Sequence, residues 1–379
     1  MNTTQQLHAA GQSVWYDNIQ RGLLANGELA RMIERGEIRG VTSNPTIFMN
    51  AITKSKDYDA GLAPLARAGQ DKEAIFWQLA IADIQAAADL FRPMYNASKG
   101  GDGYVSLEVN PYLAHQTDAT LAEAKSLWHR VERPNLMVKI PATVAGLPAI
   151  TGAIAAGINV NVTLIFSLER YAAVMDAYLA GLEVRAAAGL PLDRIASVAS
   201  FFVSRLDTKV DGLLMAMIDR GGMQAEKAEG LLGKAAIANA RLAYDNFKKV
   251  FGSERFQTLQ AKGARVQRPL WASTGTKNPK YRDVVYVEEL IGPDTVNTVP
   301  PATLAAFLDH GQVRPGSLEE KVAEARRTLI DLEALGISID AVTGELEQEG
   351  VKSFSDAFTA LLNGVEASRK AALPEGYVE

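Results

Sequence analysis

One lysine in this sequence sits where a nucleophile would. It lies in the run Leu136-Met137-Val138-Lys139-Ile140-Pro141-Ala142-Thr143. The run has the length and β-branched content of a buried strand, and it stops at Pro141. A buried ammonium is costly unless it is paired, deprotonated or used. An amine that attacks a carbonyl must first shed its proton, and desolvation favours the neutral amine. Lys139 is therefore a candidate Schiff-base nucleophile. The competing reading is a strand-end lysine that snorkels to water, and the strand alone does not choose between them.

Other chemistries are narrowed by composition. With no cysteine among 379 residues, the chain lacks disulfides, thiolate metal sites and cysteine nucleophiles. The four histidines, His8, His115, His129 and His310, show no metal-ligand spacing, so acid–base work falls to carboxylates and lysine. No glycine-rich nucleotide-binding motif occurs. A net charge of −5 argues against a nucleic-acid surface, and an anionic substrate would need a local cluster of basic groups. We expect no metal, no membrane span, no secretory signal and a cytoplasmic location.

The elements that would position Lys139 alternate in kind. Strand-like runs occur at 13–19, 40–46, 104–109, 136–140, 158–166, 195–203, 266–273 and 295–299. Helical patterns separate them at 27–35, 47–68, 71–95, 117–130, 144–156, 167–188, 205–250, 254–262 and 283–291. After 301 only helix signals remain, ending in a long pattern over 317–372. Eight strands alternating with helices predict a (β/α)8 TIM barrel with additional helices, with a doubly wound open sheet as the alternative. The chain reads as one domain over 1–379, with a C-terminal helical extension from about 301 packed on it.

Strand parity gives a polar lumen. Tyr104, Ser106 and Glu108 share one face; Asn161 and Thr163 share another; Asp17, Asn44 and Ser200 alternate with apolar neighbours in the same way. Trp271 and Ser273 share a face on the seventh strand. Helices must cover the outer face of a barrel strand, so the polar face is the lumen. A lumen holding Asp17, Asn44, Glu108, Lys139, Asn161, Thr163 and Ser200 is too polar for packing alone. These groups also come late in their strands, at the end where barrel active sites lie. A hydrogen-bonded plug that sets register has no need of a lysine beside two carboxylates. An amine between two carboxylates suits imine formation and retro-aldol cleavage.

Two stretches carry a family resemblance. Gly40-Val41-Thr42-Ser43-Asn44-Pro45-Thr46-Ile47-Phe48 resembles the N-terminal signature of transaldolases, and Val138-Lys139-Ile140-Pro141-Ala142-Thr143 with Gly146 resembles the signature around their Schiff-base lysine. Tyr16-Asp17, Val105 to Val109, Ile158 to Ser167 and Ser200 to Arg205 extend it over most of the chain. The resemblance implies cofactor-free, class I aldol chemistry of the pentose phosphate pathway. A dihydroxyacetone unit would pass from sedoheptulose 7-phosphate or fructose 6-phosphate to glyceraldehyde 3-phosphate or erythrose 4-phosphate. It implies Lys139 as nucleophile and Asp17 as the base that starts carbon–carbon cleavage. Glu108 would act through a water held with Thr163, and Asn44, Asn161 and Ser200 would bind the dihydroxyacetone hydroxyls.

The phosphate is then expected at Arg205, which follows a strand and starts a helix, with Ser273 and Lys277. Many transaldolases place an arginine two residues after this serine. Here Gly275 stands at that position, and the loop is similar to that of longer, actinobacterial-type transaldolases. Phe202 and Trp271 are expected as walls. The expected partners are sugar phosphates and no nucleic acid, with a monomer or homodimer as the assembly. Two other readings stay open: an aldolase releasing free dihydroxyacetone, and a non-catalytic barrel that binds sugar phosphates.

Overall fold

A computed structural model describes residues 1–373. Eight parallel strands close into a barrel in sequence order: β1 (Gln12–Tyr16), β2 (Gly40–Val41), β3 (Tyr104–Glu108), β4 (Leu136–Pro141), β5 (Val160–Ile165), β6 (Ser197–Phe202), β7 (Arg268–Ala272) and β8 (Thr295–Val299), with β8 paired back to β1. The barrel expectation holds, and the open sheet does not. Val105, Leu107, Val138, Ile140, Val160 and Val162 turn outward beneath the helices and are almost completely buried. Each such side chain contributes about 1.5–3 kcal/mol by leaving water.

Every expected strand is present, most of them shorter than the apolar run. β2 is cut to two residues because Asn44 caps the next helix, Pro45–Thr53, with Pro45 in its first turn. The chain must leave the barrel there. β5 is bulged: its register to β6 shifts between Val162 and Ile165, and Leu164 takes a left-handed φ of 62°. Gly40 faces the lumen against the indole of Trp15. A Cβ there would sit 2.8 Å from three ring atoms, so only glycine fits.

Helices break where glycine permits. The pattern over 205–250 divides into Ser204–Arg220, Ala225–Glu229 and Ala235–Phe251, after a turn at Gly221 and Gly222, both at positive φ. The pattern over 317–372 divides at Gly336 into Val322–Ala334 and Ile339–Ala371. The run over 47–68 becomes Pro45–Thr53 and Asp59–Arg67, and 283–291 shrinks to Val285–Glu288. Two short helices, Thr3–Ala9 and Arg21–Ala25, were not expected; Asn2 and Gln5 form a capping box on the first. Lys72–Ala97 is apolar and long enough to cross a membrane by composition, contrary to the reading that no stretch qualifies. Here it packs on the barrel, with Ile75, Leu79, Ala80, Ile84, Ala87 and Phe91 buried.

The helix Ile339–Ala371 runs across the C-terminal mouth of the barrel. It packs on Pro45–Thr53, on Lys72–Ala97 and on the end of β5. Gly350 makes the close approach possible, since a Cβ there would already press on the Leu164 side chain at 3.0 Å. The end of the expected extension, residues 374–379, lies outside the described residues.

Candidate active site

Lys139 projects into the lumen from β4 and is 5% exposed. Register explains its neighbours. Glu108 on β3 and Asn161 on β5 lie directly beside it, and Thr163 is opposite Pro141. Nζ donates to the carbonyl of Ser43 at 2.9 Å. It also lies 3.3 Å from Glu108 Oε2, close enough for an ion pair but not aligned as a hydrogen bond. Beyond β4 the chain turns tightly. Thr143 Oγ1 bonds the carbonyl of Ala114 and accepts from Gly146 N. A Cβ at Gly146 would lie 2.0 Å from the Pro141 carbonyl oxygen, which accounts for glycine in that signature.

Asp17 lies one residue past β1 and is oriented by a hydroxyl chain. Thr42 Oγ1 donates to Asp17 Oδ1 at 2.6 Å and sits 2.5 Å from Thr298 Oγ1. With the Thr42 proton given to the carboxylate, Thr298 is the donor in the second link. Burial pushes Asp17 above the usual carboxylate range; the Thr42 hydrogen bond and the Lys139 charge act against it. Burial likewise raises Glu108, opposed by Lys139 and reinforced by Asp17. Glu108 Oε2 and Thr163 Oγ1 are both buried without a hydrogen-bond partner. Two orphaned polar atoms flanking an amine mark a place where a water or a substrate oxygen is needed.

Above the amine is a cavity of about 150 Å3. Asp17, Thr42, Asn44, Lys139, Thr163 and Ser200 form its inner part; Phe202, Arg205, Ser273 and Lys277 form its outer part. Asn161 lies beneath the floor. Its amide donates to Ser106 Oγ at 3.1 Å and its oxygen accepts from Ser200 Oγ at 2.7 Å. Arg205 has no hydrogen-bond or carboxylate partner at contact distance among the described residues. Its guanidinium lies 5.5 Å from the Phe202 ring, and burial lowers its pKa from the usual arginine value. A desolvated cation without a partner at a cavity rim is poised for an anionic ligand. Ser273, at a left-handed φ of 55°, is tied to Ser204 through both hydroxyl and backbone bonds. A Cβ on Gly275 would crowd Pro300 and Thr303 at 3.2 and 3.3 Å, so a larger side chain is poorly accommodated there. Lys277, exposed on the same loop, lines the outer part of the cavity.

One expected wall is not there. Trp271 is completely buried but faces the helices, packing edge-on to Phe201 at 6.1 Å, which in turn meets Tyr171. The lumen face of β7 is Arg268, Leu270 and Ala272, and Ala272 lines the cavity. The left-handed residue Ser273 breaks the alternation, so counting back from it gives the wrong face. The missing wall is Phe354 on Ile339–Ala371, 4% exposed, with Nζ of Lys139 5.9 Å from its ring centre. In sequence Phe354 falls within the long helical pattern over 317–372, which reads only as an extension packed on the barrel. Thr298 and the Ser43 carbonyl were also missed; neither stands out among ordinary strand and loop residues.

Comparison with known proteins agrees with this geometry. The family model for transaldolase/fructose-6-phosphate aldolase matches residues 14–365. A protein named transaldolase 1 from Streptomyces coelicolor is 52% identical over 364 residues, covering 96% of this chain and 94% of its own. A transaldolase from Mycolicibacterium smegmatis is 50% identical over 366 residues, 97% of each chain. One from Thermobifida fusca is 52% identical over 361 residues, 95% of this chain and 96% of its own. With matched stretches that include both signatures and all the strands around Lys139, the chain belongs to the transaldolase/fructose-6-phosphate aldolase family.

Proposed function

We propose that this protein is a transaldolase that works through a Schiff base on Lys139. The observation that carries the reading is the buried amine in contact with Glu108, inside one cavity with Asp17 and the unpaired Arg205. Relatives of matching length that bear the name transaldolase support it.

In this mechanism Nζ, freed of its proton, adds to C2 of fructose 6-phosphate or sedoheptulose 7-phosphate and gives a carbinolamine. Glu108, through a water shared with Thr163, delivers the proton with which the C2 hydroxyl leaves as water, and an imine forms. Asp17 then takes the proton of the C4 hydroxyl. The C3–C4 bond breaks, its electrons flow into the imine, and an aldose phosphate departs. The dihydroxyacetone unit stays on Lys139 as an enamine. Its C3 attacks the aldehyde of glyceraldehyde 3-phosphate or erythrose 4-phosphate, Asp17 returns its proton, and hydrolysis frees the new ketose. Asn44 and Ser200 hold the dihydroxyacetone hydroxyls, and Asn161, expected to join them, instead orients Ser200 from beneath the floor. Arg205, with Ser273 and Lys277, holds the phosphate. Phe202 and Phe354 keep water from the enamine. We place this reaction in cytoplasmic pentose phosphate metabolism.

The family description also includes fructose-6-phosphate aldolase, which would release free dihydroxyacetone. The deciding assay supplies fructose 6-phosphate with and without erythrose 4-phosphate. Sedoheptulose 7-phosphate formed only when the acceptor is present is the expected result. Steady release of free dihydroxyacetone at the same rate without acceptor would overturn the transferase reading.

A further inference from the structure

The opposite, N-terminal mouth of the barrel contains a second and larger cavity, of about 350 Å3. Its inner surface is apolar: Tyr104, Met137 and Val198, at the starts of their strands, and Trp15, further along β1. Its rim is basic. Arg39, Arg265 and Arg268 line it, against the carboxylates of Asp102 and Asp294. Three guanidinium charges thus meet two carboxylates.

The carboxylates do not use up these donors. Asp102 is 3% exposed and accepts from Trp15 Nε1 at 2.9 Å, from Arg39 Nε at 2.7 Å and from Ser13 Oγ. Asp294 is exposed. Arg268 gives both terminal nitrogens to Ser13 Oγ and the carbonyls of Gly101 and Thr295. Arg39 differs. Asp102 engages its Nε, and its two terminal nitrogens have no partner among the described residues. Arg265 gives one nitrogen to the Lys99 carbonyl, and its others have no partner among the described residues. The local field is positive as well: His8 at the rim lies below its usual range, through burial first and then the charge of Arg39, with Asp102 opposing.

A cavity of this size, apolar within and ringed by a few convergent donors, has the form of a small-molecule site. Forked guanidinium donors select planar or tetrahedral oxyanions. Nothing here resembles a reaction centre: the buried carboxylate is engaged by Trp15, Arg39 and Ser13, and the Ser13 hydroxyl beside it is itself held by Arg268, with no lysine amine among the described residues that line the cavity. We propose that this cavity binds a small organic anion, a phosphate or carboxylate joined to a flat apolar body, with the oxyanion on Arg39 and Arg265 and the body against Trp15 and Met137. The site is distinct from the catalytic cavity, although both rest on the same strands: Trp15 and Asp17 share a face of β1, as Met137 and Lys139 do of β4.

The test is calorimetric titration of the full chain with phenyl phosphate and with inorganic phosphate. It is run on the wild type, on Arg205→Ala to remove the catalytic-side cation, and on Arg39→Gln and Arg265→Ala. Phenyl phosphate should bind the Arg205→Ala protein as it binds the wild type, and about tenfold or more tighter than inorganic phosphate because its ring leaves water. Arg39→Gln and Arg265→Ala should each weaken it about tenfold or more. Arg39 also anchors Asp102, so thermal melting accompanies each titration. Arg265→Ala loses only one protein contact and keeps the test decisive if Arg39→Gln unfolds. Binding lost in Arg205→Ala, binding unaffected by Arg265→Ala, or equal affinity for the two probes would each overturn the proposal.

Discussion

At the scale of single residues, the site depends on which group holds each proton. Burial raises both Asp17 and Glu108, and Lys139 pulls both back. Asp17 must be ionised to take the hydroxyl proton, so kcat/KM should fall on the acid side at a pH above the usual carboxylate range. Thr42 donates to this carboxylate and thereby favours the charged form. Thr42→Val removes that help, so its acid limb should move to higher pH; a pH profile superimposed on the wild type would contradict this role. Asp17→Asn should separate the steps. Its cleavage rate should drop by about 10²–10⁴, while borohydride still traps substrate on the protein. Parallel loss of trapping would mean that Asp17 serves imine formation instead.

At the scale of elements, two supports outside the strands hold the site in shape. The helix Ile339–Ala371 contributes Phe354 to the cavity wall. Phe354→Ala should cost about 3–5 kcal/mol in denaturant unfolding, the usual result of emptying an aromatic site. It should also raise free dihydroxyacetone relative to transfer product, because water gains access to the enamine. An unchanged product ratio would remove Phe354 from the site's function. The second support is Asp207, two residues beyond Arg205 on Ser204–Arg220. It accepts from Tyr286 Oη and from Ala236 N, both at 2.7 Å. Burial first, and Asp211 less so, push its pKa from 3.8 to about 6. The folded state therefore holds a proton that the unfolded chain releases. That contribution is complete below the unfolded value and is lost as pH rises through the folded one. Unfolding free energy should decline by roughly 2–3 kcal/mol across that window, and Asp207→Asn should flatten the decline. Equal slopes for the two proteins would contradict the assignment.

At the scale of the whole molecule, what was legible followed from alternation. A strand that covers a lumen on one face and helices on the other must alternate polar and apolar residues, so Asp17, Glu108, Lys139 and Thr163 could be grouped before any contact was known. The same reasoning failed for Trp271, because the left-handed turn at Ser273 reverses the parity from which its face was counted. It also carried β2 on to residue 46 where the strand ends at Val41, since a capping asparagine resembles a strand residue until the helix after it is seen. Phe354 was beyond reach for a different reason. It arrives from far along the chain on a helix whose stripe serves packing and cavity wall at once, and no local pattern distinguishes the two. The basic rim at the N-terminal mouth is assembled from the segment before β2, the loop before β7 and the first residue of β7, and such convergence has no sequence signature.

All three scales converge on a single covalent event. Fructose 6-phosphate is incubated with the protein, borohydride is added, and the digested peptides are weighed by mass spectrometry. The account predicts that the peptide carrying Lys139 gains a reduced dihydroxyacetone unit, and that Lys139→Ala gains none and has no transfer activity. An adduct on another lysine, or active wild-type enzyme that never yields one, would contradict it.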